Sequence, residues 1–463
     1  GFTSKRRVRH AVAMKKCALI ALAAAAGADA FSPAGVPSLR RGAPAATQLS
    51  MHAARDAKPG AAARLATGLA GGLATASLLL SPALDFVQHP LGPNDGGAVH
   101  AQGATSKKST RGAPSKDANK DPESILRLSL PINEKNPIRQ AQAALEMDMD
   151  KALKETRGEK WAKIAGLARK SANVMQKKEK DILKDVPVDR LDKAKALVTE
   201  ITRGLADLGQ TIETQKKEAV EAKKRRVLAD IGELEQLMVQ AFPYDVPEEF
   251  SNLPQLKGRA EVDVVLAKAG GEKFDVDGTV YDKLNLHIVL DGYSAPVTTG
   301  NLVDLIQKGF YNGMQIQRSD GFVVQTGDPS PDDPDAVHGY QEGGKERTVP
   351  LEILADEDKV PTWGVTLEDD GRPLSQPKLP FSVYGTLAMA RVEDNPDSGS
   401  SQWFFLLFDP ELVTAGRNLM DGRYSTFGYV TEGNRGLSNV GVGDVIESMK
   451  VVRGSENLVA PKK

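Results

Sequence analysis

Cysteine and net charge are what this chain most lacks. Its 463 residues include one cysteine, Cys17, and 60 basic against 61 acidic side chains leave a formal charge of −1 at pH 7. A lone cysteine in a segment that we expect to be removed excludes a disulfide framework and a thiol nucleophile from the mature protein. The near-zero charge gives no support to a nucleic-acid partner. The length leaves room for two domains and a tail.

The N-terminal half shows helical periodicity but no residue pattern typical of catalysis. Apolar residues recur on one face after Pro137 and again from Glu159 to Leu183, and Pro187 then interrupts the chain. The clearest seam has apolar residues three and four apart, at Leu191, Ala194, Val198, Ile201, Leu205, Leu208 and Ile212. We expect residues 122–243 to form an antiparallel bundle of about four helices, with this seam as its core rather than a dimerising zipper.

The C-terminal half, residues 257–463, follows a proline-containing linker at 244–256 and is rich in short β-type runs bounded by turn dipeptides such as Asp291-Gly292. Eight runs are predicted as strands: Glu261–Leu266, Leu284–Leu290, Gln315–Arg318, Phe322–Gln325, Gly385–Ala390, Trp403–Leu407, Phe427–Val430 and Val445–Val452. We therefore predict an α+β chain in which a helical bundle precedes a closed eight-stranded β-barrel with two helices.

Two stretches of this half each place a polar side chain beside an apolar run. In YNGMQIQRSDGFVVQTGDP, Arg318 precedes Phe322-Val323-Val324, and in GTLAMARVEDNPDSGSSQWFFLL, Gln402 leads into Trp403-Phe404-Phe405. The pattern indicates a hydrophobic groove with a few fixed donors. An ordinary barrel core, in which Arg318 only pairs with an acid, is the alternative.

The order of these motifs resembles the cyclophilin family of peptidyl-prolyl isomerases from about Lys257 to Leu458. The sequences of these motifs are most similar to those of the large thylakoid-lumen cyclophilins of chloroplasts, which carry a helical domain in front of the barrel. The resemblance implies a fold and an activity that need neither metal nor other cofactor. It implies proline-containing client segments and thylakoid complexes such as photosystem II as partners, with at most a peripheral contact to the membrane.

Matched residue by residue, the resemblance also implies roles. Arg318 would donate to the proline nitrogen, Phe322 and Phe404 would form the cup for the proline ring, Gln325 would orient the arginine and Gln402 would hold the substrate backbone. The other implied substrate contacts are Val323, Met389, Ala390, Arg391, Leu419, Met420 and Tyr424.

The sequence departs from the family pattern at several of these positions. The turn from Arg318 to Phe322 is one residue shorter and lacks a proline, and a misplacement of about 1 Å can cost two orders of magnitude in rate. The family's histidine before the arginine is replaced by Gln317, and its groove tryptophan, later histidine and groove asparagine are replaced by Leu419, Tyr424 and Arg391. We expect reduced activity and weak cyclosporin binding.

Residues Asp328–Pro380 form an insertion longer than the family has at this place, with several acidic clusters. Loops of this length are functional or disordered in most compact domains. We expect a solvated, mobile lid rather than a metal site. The basic run Lys223–Arg226 is expected to be a solvated helix face, or alternatively to contact the acidic clusters at Asp356–Asp358 and Glu368–Asp370.

The N-terminal region has the layout of a targeting sequence. Residues 1–30 are predicted to be a signal peptide, because Lys15-Lys16 precede an apolar run too short to span a bilayer and Ala28-Asp29-Ala30 offers a cleavage site. Phe31 directly after that site is similar to the two-part plastid address of algae with complex plastids.

Residues 31–101 are predicted to carry the plastid transit and thylakoid-lumen transfer signals. The apolar block Leu65–Val87 is nearly long enough to be a membrane anchor, which is the alternative. With lumen transfer, the mature protein begins near Gln102 with a disordered leader at 102–121, and is soluble in the lumen.

Two functions remain open at this point. The first is an isomerase acting on X-Pro bonds of lumenal or thylakoid proteins, which the retained Arg318, Phe322, Gln325, Gln402 and Phe404 favour. The second is a catalytically weak binding module that assists or regulates photosystem II assembly, which the shortened turn, Leu419 and Tyr424 favour.

Overall fold

A computed structural model describes residues 121–156, 159–407 and 418–462. The predicted signal peptide, the transit and transfer segments, the start near Gln102 and the leader up to residue 120 lie outside the described residues. Within the described ranges, no helix combines the length and the apolar character needed to cross a membrane.

Helices build the described part of the N-terminal half. Their bounds are α1 Pro122–Ser129, α2 Ile138–Ala143, α3 Met149–Lys154, α4 Lys160–Lys177, α5 Glu179–Leu183, α6 Leu191–Glu213 and α7 Lys217–Met238. A π-helical turn, Ala144–Asp148, joins α2 to α3. The helices predicted from apolar periodicity are all present.

The predicted seam of α6 is the centre of the helical core. Six of its seven apolar residues, from Ala194 to Ile212, are buried, and α6 packs against α4 and α7. At Gly204 the helices approach so closely that a Cβ atom would lie 2.9 Å from Cγ2 of Val227. The seam is therefore used inside the chain, as expected for a bundle core.

Helix α1 was not predicted. Asp121 caps it by accepting a hydrogen bond from the backbone N–H of Glu123 at 3.1 Å, and Pro122 occupies its first position. Asp followed by Pro is a sequence signal for a helix start, so this element could have been found.

The C-terminal half is built on β-strands. In chain order they are β1 Gln255–Leu256, β2 Arg259–Ala267, β3 Phe274–Val276, β4 Thr279–Tyr281, β5 Lys283–Asp291, β6 Ile316–Ser319, β7 Val323–Thr326, β8 Gln341–Glu342, β9 Lys345–Glu346, β10 Glu352–Ile353, β11 Thr362–Trp363, β12 Thr386–Met389, β13 Trp403–Leu406, β14 Thr426–Glu432, β15 Val445–Arg453 and β16 Leu458–Val459. All eight predicted strands are present.

Eight strands form one antiparallel sheet in the order β15-β2-β5-β14-β12-β13-β7-β6. The predicted fully closed barrel is wrong, because the sheet is an open half-barrel. Its edge strands β6 and β15 meet through an isolated bridge between Gln315 and Val445. With four residues against nine, β6 is too short to pair along β15. Helix α8, Pro296–Gln307, packs against β15 and β5; residues 408–417 lie outside the description.

The insertion Asp328–Pro380 has regular structure, which the prediction of a solvated, mobile lid did not include, although many of its residues are exposed as predicted. It contains the hairpins β8–β9 and β10–β11 and an apolar cluster of Leu351, Ile353, Ala355 and Leu367. Arg347 anchors it to α8: its Nε donates to Asn301 Oδ1 at 2.9 Å and its Nη1 donates to Asp304 Oδ2 at 2.7 Å.

The insertion also caps α8. The buried carboxylate of Glu352 accepts hydrogen bonds from the backbone N–H groups of Val297 at 3.1 Å and Thr298 at 2.7 Å, and from Trp363 Nε1 at 3.2 Å. A carboxylate at this end of a helix satisfies orphan N–H groups and complements the helix dipole. Burial nevertheless dominates and raises the pKa of Glu352 to about 7.

The two halves share a buried polar joint. Nη2 of Arg259 on β2 donates to the Leu126 carbonyl at 2.5 Å and to Ser129 Oγ at 3.0 Å, and it lies 3.4 Å from Asp291 Oδ2. Apolar contacts surround it, because Ile125 and Leu126 of α1 pack with Leu379, Val383 and Tyr429. Helix α1 is thus fixed on the sheet half.

The proposed contact between the basic run and the acidic clusters is absent from the described residues. Lys223 pairs with Asp207 at 3.2 Å, Lys224 with Asp150, and Arg226 with Asp230 at 3.6 Å, all within the helical half. The acidic clusters pair locally instead: Asp358 and Asp370 with Arg372, and Glu368 with Arg423.

We expect the stability of the protein to fall as the pH rises from about 5 to about 8. The folded pKa of Glu352, about 7, lies above its ordinary value of 4.5, so its contribution is fully present below 4.5 and is lost as the pH rises through 7. The loss should be on the order of 3 kcal/mol, since one pKa unit corresponds to about 1.4 kcal/mol. Urea unfolding of the protein and of Glu352→Gln, which cannot titrate, measures it; an equal pH slope in both would contradict the assignment.

Candidate functional site

One cross-strand row brings the predicted site together. Arg318 on β6 is the register partner of Gln325 on β7, Gln325 is the partner of Phe404 on β13, and Phe404 is the partner of Ala388 on β12. Paired residues of neighbouring strands project from the same face of a sheet. Residues that are some seventy positions apart in sequence therefore meet on one surface.

The row lies on the outer face of the sheet. The residues next to this row along the strands belong to the large hydrophobic core of the sheet half, which we call the main core; they are Val324, Trp403 and Leu387. Phe404 and Ala388 belong to a separate cluster. Side chains alternate between faces along a strand. By the same alternation Met389, which was expected to line the groove, lies in the main core at 4% exposure.

Arg318 is engaged by a carboxylate of its own turn. Its Nε and Nη2 donate to Asp320 Oδ2 at 2.8 and 2.5 Å. Asp320 Oδ1 accepts from the backbone N–H groups of Phe322 at 2.9 Å and Val323 at 3.0 Å. Burial acts to raise the pKa of Asp320, but these backbone bonds and Arg318 outweigh it and hold the pKa below its ordinary value.

Arg318 thus pairs with an acid, as the alternative interpretation expected, but it lies on the outer face of the sheet and not in the barrel core. Asp320 is a site residue that sequence reasoning missed. A signal existed, since an aspartate before glycine commonly accepts hydrogen bonds from the backbone of its own turn. A guanidinium has five N–H groups, and two of those of Arg318 point at Asp320. The remaining three have no bond to the described residues.

A network of glutamines replaces the expected contact between Gln325 and Arg318. Gln402 Oε1 accepts hydrogen bonds from Gln325 Nε2 at 2.9 Å and Gln317 Nε2 at 2.6 Å. Gln402 Nε2 donates to the carbonyl of His338 in the insertion at 2.9 Å. The amide expected to hold substrate backbone is thus bonded to the insertion. Gln317 and His338 were not predicted as part of the site.

The apolar cup is filled by side chains of the chain itself. Its members form what we call the outer cluster: Val323, Phe381, Ala388, Phe404, Leu406 and Tyr424. The ring of Phe381 stacks on Phe404 with centroids 6.3 Å apart, and Tyr424 meets Phe404 edge-on at 5.7 Å. Phe404 is 5% exposed as a result. Phe381 follows the insertion and was not predicted.

Other predicted site residues lie around the outer cluster. Ala390 and Met420 pack against it and are partly buried. Phe322 was expected in the cup but is 50% exposed at the tip of its turn, and Leu419 is 74% exposed. The shortened turn accounts for Phe322, because the Asp320 bonds hold this backbone tightly. Val323 takes its place in the cluster.

Arg391 lies over the ring of Tyr424, with its guanidinium carbon 5.1 Å from the ring centroid. Burial raises the pKa of Tyr424 to about 12, and the charges of Arg391 and Arg318 act in the opposite direction. Both guanidiniums thus lie near this ring.

Across the described residues, no three His, Cys, Asp or Glu side chains are grouped so as to hold a metal ion.

Two family profiles match the chain. The profile "Peptidyl-prolyl cis-trans isomerase CYP38-like, PsbQ-like domain" matches residues 121–239, and "Cyclophilin type peptidyl-prolyl cis-trans isomerase/CLD" matches residues 276–456.

Whole-protein relatives agree with these profiles. The chain is 43% identical over 344 residues to the chloroplastic peptidyl-prolyl cis-trans isomerase CYP38 of Arabidopsis thaliana, covering 74% of this chain and 76% of that protein. It is 44% identical over 341 residues to the putative thylakoid lumen peptidyl-prolyl cis-trans isomerase sll0408 of Synechocystis sp., covering 73% and 84%. It is 30% identical over 348 residues to chloroplastic CYP37 of Arabidopsis thaliana, covering 73% and 71%.

Truncating Phe381 should destabilise the protein strongly. The side chain is 2% exposed and stacked on Phe404, so Phe381→Ala should lower the free energy of unfolding by about 3–5 kcal/mol. Phe322→Ala, at a ring that is 50% exposed, is the matched control and should cost much less. Urea titrations of both variants give the comparison, and equal losses would show that Phe381 is not an essential part of the outer cluster.

Proposed function

Because the chain belongs to the cyclophilin-type peptidyl-prolyl cis-trans isomerases that carry a PsbQ-like helical domain, we propose that it isomerises X-Pro bonds of client proteins in the thylakoid lumen. The names of its chloroplastic and thylakoid-lumen relatives support the compartment. The predicted division into a presequence, a helical domain at 122–243 and an isomerase domain at 257–463 fits this assignment.

The reaction needs no nucleophile. Amide resonance opposes rotation with a barrier of about 18–20 kcal/mol, and the lone pair of the proline nitrogen becomes localised only when the bond is twisted. A donor aimed at that nitrogen therefore binds the transition state better than the ground state. An apolar surface for the proline ring positions the bond beside the donor.

The observation that carries the proposal is the cross-strand row from Arg318 to Ala388. It places a guanidinium on the same face as Phe404 and the outer cluster. Arg318 acts as the donor through the N–H groups that Asp320 leaves unbonded. Asp320 takes the orienting role expected of Gln325. Phe404, Val323 and Tyr424 supply the apolar surface.

A second candidate function is a catalytically weak module that binds proline segments during photosystem II assembly. Two observations favour it. The outer cluster is closed by Phe381, which leaves Phe404 only 5% exposed. The guanidinium of Arg318 is charge-paired with Asp320 at 2.5 Å, so a weak acceptor such as a proline nitrogen competes with a carboxylate.

Arg318→Ala and the wild-type rate together distinguish the two candidates. If Arg318 stabilises the twisted amide, the substitution should lower kcat/KM for a proline peptide by about 10²–10³, the cost of losing one transition-state donor. Arg423→Ala is the matched control, because Arg423 also lies near Tyr424 but is exposed and paired with Glu368 at 2.5 Å.

Isomerisation is measured on the protein beginning at Gln102, with melting curves to confirm folding of each variant. An unchanged rate in a folded Arg318 variant would refute the proposed role of this arginine. A wild-type rate at the uncatalysed level would favour the binding module.

A further inference from the structure

Arg391 differs from the other described arginines of the sheet half in having no carboxylate partner. The others each have a carboxylate oxygen within 3.6 Å; they are Arg259, Arg318, Arg347, Arg372, Arg423, Arg435 and Arg453. No carboxylate oxygen of the described residues lies within 4.0 Å of Arg391. The charges of Glu393 and Asp369 reach it only from farther away.

Backbone carbonyls hold the Arg391 side chain in place. Its Nη1 donates to the carbonyls of Val392 at 2.8 Å and Glu393 at 2.7 Å, and its Nε donates to the carbonyl of Arg423 at 2.9 Å. Three of its five N–H groups are used in this way. The two on Nη2 have no partner within the described residues, and Nη2 is not a fully buried atom.

The position of this cation relates it to the site. The guanidinium lies 5.1 Å from the centroid of Tyr424, and Tyr424 lies 5.7 Å from the centroid of Phe404. Since an extended chain advances about 3.3–3.6 Å per residue, a segment with its proline at Phe404 reaches Arg391 within about three residues.

No carboxylate of the described residues contacts the charge at this place. Arg318 is paired with Asp320 and Arg423 is paired with Glu368. Arg391 has no such pair and is half-buried, and desolvation lowers its pKa. A half-buried cation with two free donors is stabilised by an anion that brings its own acceptors. Carbonyls and an aromatic face fix its orientation before that anion arrives, which limits the entropy lost on binding.

We propose that Arg391 makes this protein selective for proline segments with an aspartate or glutamate within about three residues of the proline. The inference rests on the proposed function, because it assumes that the outer cluster receives the proline. Arg391 is then a specificity-determining residue that binds the client carboxylate through Nη2.

The test uses pairs of proline peptides that differ only by Glu against Gln, placed on either side of the proline. Exchange NMR on the protein beginning at Gln102 measures Kd and the rate of isomerisation in one experiment. We expect the Glu peptide of at least one pair to bind about three- to tenfold more tightly, the range of a partly exposed charge-assisted bond. The preference should shrink at 0.5 M salt, because salt screens it.

Variants separate Arg391 from general electrostatics. Arg391→Gln should bring the Glu/Gln ratio close to one, and Arg391→Lys, which keeps the charge, should retain part of the preference. Arg423→Gln removes a neighbouring charge but keeps the backbone carbonyl that accepts from Arg391, and should leave the ratio unchanged. Melting curves confirm that each variant folds.

Each outcome has a distinct meaning. Equal affinities for Glu and Gln peptides in the wild type, or a preference that survives in Arg391→Gln, would overturn the inference while leaving isomerisation intact. An acidic preference without any acceleration of isomerisation would support Arg391 as an anchor and refute the enzymatic function instead.

Discussion

The strict alternation of side chains along β7, β12 and β13 is the constraint on which the site depends. Every residue of these three strands is buried, so the sheet is covered on both faces here. One face supplies the main core through Val324, Leu387 and Trp403, and the other carries the outer cluster through Phe404 and Ala388. A register slip of one residue would exchange the two sets, so the register of the core also fixes the position of the site.

The insertion provides the second layer that this arrangement requires. Glu352 caps α8 and Arg347 ties the insertion to the same helix. The His338 carbonyl accepts from Gln402, and the segment that follows the insertion contributes Phe381 to the outer cluster. A segment of this acidity looks like a solvated loop in the sequence. It folds because its apolar residues form a small cluster of their own and its charged residues find partners at short range.

The strands and the helical seam could be predicted because each depends on local pattern, whereas the roles of the candidate residues were implied by the family resemblance. The seam of α6 is visible as a spacing of three and four, and the motif around Arg318 is contiguous. The closure of the sheet could not be predicted, because it depends on how far β6 extends beside β15. The role of Phe381 could not be assigned either, because it is set by a tertiary contact. Asp320, the partner of Arg318, carried a local signal in the Asp-Gly turn that sequence reasoning missed. The exposure of Phe322 is set by the conformation of its turn, whereas the burial of Met389 follows from the alternation of side chains along its strand.

The joint between the halves has a consequence for how the chain responds to proteases. Arg259, Asp291 and Ser129 are buried together, and the apolar contacts of Ile125 and Leu126 surround them. Separating α1 from the sheet would remove the hydrogen bonds that Ser129 makes to Arg259 and Asp291 and the bond from Arg259 to the Leu126 carbonyl. Leaving buried polar groups without partners costs free energy. A protease that cuts between residues 244 and 256 would therefore produce two fragments that remain together. Gel filtration without denaturant would not reveal the cut, and only a denaturing gel would show that the backbone had been broken.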